Sequence, residues 1–78
     1  MLQMNVLNEG RFFRQVNACL GPVRLHAAGQ EPVDLRGNGF LQGLLAAQGS
    51  PIRLAVQPEN GADTARLIRF MQEDGRRD

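Results

Sequence analysis

Three runs in this chain alternate apolar and polar residues: "LQMNVL" at 2–7, "VRLHA" at 23–27 and "IRLAV" at 52–56. Successive side chains of a strand point to opposite sides, so each run has one apolar and one wet face. A sheet made of such strands has a single side to bury, and another layer must cover it. At 78 residues the chain has room for one domain and one shared core.

The intervening segments supply the covering layer. Asn8 reads as an N-cap with Glu9 in the first turn, where a negative charge suits the helix dipole. A helix from about Glu9 to Leu20 then turns Phe12, Phe13, Val16, Cys19 and Leu20 inward at spacings of three and four. Gly21-Pro22 ends it, because glycine accepts a left-handed cap and proline cannot continue the ladder. Val23, Leu25 and Ala27 form the dry side of the second strand, and "VDL" at 33–35 returns as a third strand in a hairpin.

A second helix from about Asn38 to Gln48 carries Phe40, Leu41, Leu44, Leu45 and Ala47, and Gly49-Ser50-Pro51 stops it. After the fourth strand, with Ile52, Leu54 and Val56 inward, "QPENGAD" is a loop of turn-forming residues. A last helix from about Ala62 to Glu73 presents Ala65, Leu67, Ile68, Phe70 and Met71 to the core, with Gly75 as C-cap and residues 76–78 as a frayed tail. The order β-α-β-β-α-β-α with one-sided strands predicts an α+β open-faced β-sandwich: one domain over residues 1–75, with helices on one face of a four-stranded sheet. Periodicity does not give the order of the strands in space.

Charge and cysteine content narrow the function classes. The net charge of +1 gives no field that implies a nucleic acid or an anionic membrane as partner. All nine basic residues are arginine; the absence of lysine reads mainly as a genomic bias, although arginine also grips carboxylates and phosphates in a forked geometry. Cys19 is the sole cysteine, so no intrachain disulfide or thiolate cluster forms, and a reducing, cytoplasmic setting is expected. No apolar run reaches bilayer length, and the start "MLQMNVLNEG" lacks the features of a signal peptide.

Few residues invite catalysis, and the chain is not expected to be an enzyme. His26 is the one histidine; it reads as a solvent-facing strand residue, the alternative being a phosphoryl or proton acceptor with Glu31 or Asp34 across the hairpin. Cys19 falls on the inward side of its helix and reads as a small packing group. One histidine and one cysteine are too few ligands for a structural zinc site. The turn Gly37-Asn38-Gly39 has neither the Walker A lysine nor the dinucleotide spacing, since the third glycine would fall at Gln42. It reads as a joint between strand and helix, with anion binding by its amides beside Arg36 as the alternative. No cofactor is expected.

The stretch "VDLRGNGFLQGLLAAQGSPIRLAV", residues 33–56, resembles the run from third strand to fourth strand in HPr, the histidine-containing phosphocarrier of the bacterial sugar phosphotransferase system. Val33, Asp34, Arg36, Leu44, Ala46, Gln48-Gly49 and Ile52 sit in register with it, and "LIRFM" at 67–71 is similar to the family's last helix. The resemblance covers roughly the last two-thirds of the chain and lies mostly on core and turn positions. The element order read above is part of the same resemblance.

The departures bear on function. The family holds its phosphoacceptor histidine between first strand and first helix, in a Gly-Leu-His-x-Arg-Pro-Ala motif; this chain has "NVLNEGRFFRQ" there, with neither histidine nor proline. Gly37 stands where the family has its regulatory serine and offers no hydroxyl. Phosphocarrier chemistry needs the imidazole, so the resemblance implies a member that has lost it. In HPr the surface around the first two helix starts docks onto partner enzymes and regulators. The corresponding residues here are Arg11, Arg14, Arg36, Asn38, Gly39, Phe40 and Gln42, and an apolar residue rimmed by arginines suits a protein partner. The expectation is a protein-binding or regulatory module related to the phosphotransferase system, its partner an enzyme or regulator of that system. A phosphocarrier using His26, and a structural protein or homodimer associating through its sheet, are the alternatives.

Overall fold

The computed structural model describes residues 1–49 and 51–75, with side chains as far as Glu73 in the last helix. Its elements are β1 (Leu2–Val6), α1 (Glu9–Asn17), β2 (Val23–His26), β3 (Val33–Asp34), α2 (Gly39–Ala47), β4 (Ile52–Pro58) and α3 (Gly61–Gly75), an α+β arrangement in the expected order. The strands form one antiparallel sheet in the order β1-β4-β2-β3. The expected hairpin is present, with Arg24 opposite Asp34 and Leu25 opposite Val33.

Register turns the alternation into a core. Met4 lies opposite Leu54, Val6 opposite Ile52, and Leu25 opposite Val56, so the apolar side chains stack in rows on one side. The other side carries the pairs Gln3 with Ala55, Asn5 with Arg53, and Arg24 with Gln57. Against the dry side pack Phe12, Phe13 and Val16 of α1, Leu45 of α2, and Leu67 and Phe70 of α3, in a single cluster with the strand residues. Phe12 is the hub: its ring tilts against Phe13 at 5.5 Å and against Phe70 at 5.7 Å between centroids.

Helix α1 begins as its sequence dictates and ends sooner. Asn8 is extended, and its Oδ1 accepts the N–H of Arg11 at 3.0 Å. The helix closes at Asn17, not near Leu20, and the Ala18 N–H donates to the carbonyls of Arg14 and Gln15. The cause is Asp63, near the start of α3. Its carboxylate accepts the Leu20 N–H at 2.8 Å and the Gly21 N–H at 2.9 Å, donors that a continuing helix would have spent on its own carbonyls. Leu20, expected in the core, is therefore 75% exposed, and Gly21 is not a left-handed cap. Space at residue 21 is tight for another reason: a Cβ there would lie 3.2 Å from Asn60 Nδ2, so that the Asn60 side chain would have to give by a few tenths of an ångström.

The Asp63 junction also starts α3. Asn60 Oδ1 accepts the Asp63 N–H at 2.9 Å, and Asn60 Nδ2 donates back to the carboxylate at 3.0 Å, a reciprocal cap. Asp63 is 1% exposed. Burial alone would raise its carboxyl, but the amides of Leu20 and Gly21, then Asn60 and the Cys19 thiol, together hold it below the ordinary value. The same carboxylate acts on Cys19, which is itself buried. Burial first, and the Asp63 charge second, push the thiol up to about 11, so it is a neutral packing group.

Other boundaries shift by smaller amounts. Helix α3 runs on to Gly75, so that glycine lies inside the helix range, and Ala65 faces solvent while Asp63, Leu67 and Phe70 face inward. Ala27 lies beyond the end of β2 and is exposed. On α2 only Leu45 is buried, with Leu41 and Ala46 partly covered; Phe40, Leu44 and Ala47 are exposed. Gly49 follows α2 in the left-handed conformation; Ser50, the middle of the expected stop, and the expected tail at 76–78 lie outside the described residues. Among the described residues no helix is long and apolar enough to cross a membrane.

Candidate functional site

The most unusual surface is the one around α2. Its sequence, "GFLQGLLAA", holds no charged residue, and a helix apolar on every side is ordinarily buried all round. This one is not. Phe40 is 80% exposed and Leu44, one turn later, is 51% exposed, so the two stand on the same outer face with Gly43 and Ala47 beside them.

The start of this helix is fastened by polar groups. Asn38 Oδ1 caps it by accepting the Leu41 N–H at 3.1 Å. Asn17, at the end of α1, reaches across: its Oδ1 accepts the Gly37 N–H at 2.9 Å and Gln42 Nε2 at 2.8 Å. Gln42 Nε2 also donates to the Leu35 carbonyl at 3.0 Å. Arg36 is held by its Nε, which donates to the Cys19 carbonyl at 2.7 Å, leaving the exposed end of the guanidinium at the rim. Gly37 makes the bend with φ of 70°, a conformation that a side chain resists.

These bonds define what the Gly37-Asn38-Gly39 turn can do. The Gly37 N–H is taken by Asn17 and the Asn38 N–H donates to the Leu35 carbonyl at 3.2 Å. Two of the three amides proposed for an anion are thus already used, which favours the joint over the cradle.

The seven residues expected to form one docking surface fall in two places. Arg36, Asn38, Gly39, Phe40 and Gln42 gather at the start of α2. Arg11 does not join them: its guanidinium lies over the Phe70 ring of α3, 5.9 Å from the centroid. Arg14 is exposed, and at 100° per residue it stands between Arg11 and Asn17 on the outer side of α1.

His26 does not assemble with either expected carboxylate. Asp34 Oδ1 accepts the backbone N–H groups of Val23 at 3.1 Å and Arg36 at 2.9 Å, and Glu31 is exposed in the turn. His26 instead sits opposite Ala55 in a shallow hollow of about 560 Å³ on the open side of the sheet, with Gln3, Asn5 and Arg53 around it. It is half-buried, not solvent-facing, and its Nε2 is covered without a hydrogen-bond partner among the described residues.

Sequence reading missed Leu44, Asn17 and Asp63 as determinants of these surfaces. The lack of charge on α2 was the available signal for Leu44. Asn17 acts through partners distant in sequence, and the Asn60-x-x-Asp63 cap spacing marks the start of α3 but not the contact of Asp63 with Leu20 and Gly21. No protein-family model matches this chain, and no curated protein or solved structure matches it.

Proposed function

We propose that this chain is an HPr-like module that binds another protein through the outer face of α2 and carries no phosphoryl group. The observation that supports this most is Phe40, a large aromatic side chain held 80% exposed on a helix whose start is fixed by five side-chain hydrogen bonds from Asn17, Asn38 and Gln42. A rigid support means that little ordering entropy is lost when a partner covers the face. Exposed aromatic and aliphatic anchors with a polar rim, here Phe40, Leu44 and Arg36, are typical of binding centres.

The absence of a histidine between β1 and α1, and the glycine at position 37, support loss of both phosphorylation switches. The covered Nε2 of His26 disfavours that residue as a substitute acceptor. Incubation with a phosphoryl donor of the phosphotransferase system, read by intact-mass spectrometry, is expected to leave the chain unmodified. A phosphoryl group on the chain that disappears in His26→Ala overturns the reading. Capture of interacting proteins by the native chain and by Phe40→Ser tests the face itself: loss of the captured protein in the variant supports docking on α2. Light scattering on the chain alone separates a foreign partner from a second copy.

A further inference from the structure

A second surface lies away from α2, between α1 and α3. It is a groove of about 380 Å³. Ala62, Ala65 and Phe70 supply its apolar lining, and Arg11, Arg66 and Arg69 line it as well. Three guanidiniums therefore face one groove in a molecule whose net charge is only +1. Arg11 is propped over the Phe70 ring, and Arg66 Nη1 donates to Gln15 Oε1 at 3.1 Å. Neither of these partners neutralises charge. Among the described residues the ion pair formed is Arg24 with Glu59, elsewhere on the surface, and none joins the groove arginines to an acid. Glu73 closes the far end.

We propose that this groove binds an acidic segment of a partner protein, a short peptide in which carboxylates flank an aliphatic side chain. The chemistry of the lining selects carboxylates, because each guanidinium offers a planar fork of donors. The exposed methyl groups of Ala62 and Ala65 offer a small apolar patch for a methyl or isobutyl group. From Ala62 to Glu73 the groove follows three turns of helix, about 16 Å at 1.5 Å per residue, which matches about five residues of extended peptide. Glu73 at one end gives polarity, since it repels a carboxylate there and accepts a basic or neutral residue. A nucleic acid fits less well. The groove shows no exposed aromatic face on which a base can stack, as Phe70 is 5% exposed, and a continuous phosphate chain would meet Glu73. This surface does not depend on the α2 reading, and either can fail alone.

The test is a titration of the isotopically labelled chain with a peptide of sequence Asp-Glu-Leu-Asp-Glu, followed by amide chemical shifts. Shifts are expected at Gln15, Ala62, Ala65 and Arg69, weakening as salt is raised, and a Lys-Lys-Leu-Lys-Lys peptide is expected to leave them unmoved. The double variant Arg66→Gln, Arg69→Gln is expected to weaken binding by about tenfold or more, since two charge-assisted contacts are lost. Ala65→Glu, which sets a carboxylate in the groove at an exposed position, is expected to do the same if the double variant folds poorly. Phe40→Ser is expected to bind as the native chain does. Shifts confined to α2, or affinity unchanged in the groove variants, overturn the proposal. Tighter binding of an oligonucleotide or an anionic vesicle at the same residues overturns the peptide assignment.

Discussion

Phe12 and Phe40 are the same residue type on two helices of equal length, nine residues each, and they lead opposite lives. Phe12 is fully covered by Phe13, Phe70 and the sheet, while Phe40 is 80% exposed on α2. The polar groups are reversed as well. At the α1–α3 junction a carboxylate is buried and fully supplied with donors, whereas on α2 the polar groups only fasten the start of the helix and leave its apolar face open. Stability is concentrated in the first region. The second leaves Phe40 and Leu44 outside the core cluster.

This contrast can be broken by substitution. Phe12→Ala is expected to have the largest effect, a loss of about 3–5 kcal/mol, since a large ring leaves a cavity in a close-packed cluster; chemical unfolding followed by circular dichroism measures it. Such a loss is comparable to the whole stability of a small domain. A value near that of a surface substitution would remove Phe12 from the centre of the core.

Asp63→Ala is expected to rank next, because it strands the N–H groups of Leu20 and Gly21 and removes the carboxylate that accepts Asn60 Nδ2 in the α3 cap. The pH dependence has a defined sign. The folded carboxyl titrates below its ordinary value, so its contribution is complete above about pH 4, the unfolded pKa, and is lost as pH falls through the lower folded value. Unfolding curves between pH 7 and pH 2 are expected to be steeper in the native chain than in Asp63→Ala. Equal slopes would show that the junction does not carry the acid limb.

Cys19 gives a smaller effect at the other end of the scale. The chain has neither lysine nor tyrosine, so between pH 9 and 11 its thiol is the side chain that titrates. An unfolded thiol ionises near 9 and the folded one near 11, so the unfolded state releases its proton first and stability falls as pH rises through that window. The fall is expected to vanish in Cys19→Ala. Persistence of the fall in that variant would place its origin elsewhere.

The two regions also differ in how far the sequence disclosed them. Alternation in β1, β2 and β4, and the Asn8 cap, are local signals, and the elements they predict are present. What depends on contacts across the chain was not legible. The Asp63 carboxylate meets Leu20 and Gly21 across 43 and 42 residues, and this contact shortens α1 and exposes Leu20. The insertion of β4 between β1 and β2 is likewise a long-range choice. On α2, periodicity was silent because apolar residues occupy every side, so the exposed pair Phe40 and Leu44 had no polar stripe to be read against. The missing charge was the clue. Helical spacing gives the angle of Arg11 on α1 but not which neighbour it meets, and that neighbour is Phe70.

On the proposed reading, the outer face of α2 serves binding and not folding. The double variant Phe40→Ser, Leu44→Ser measures it directly, by unfolding midpoint and partner capture on the same protein. Stability is expected to stay within about 0.5 kcal/mol of the native chain, as for exposed positions, while the captured partner is lost. A drop of the size expected for Phe12→Ala, or capture that is unchanged, would contradict it.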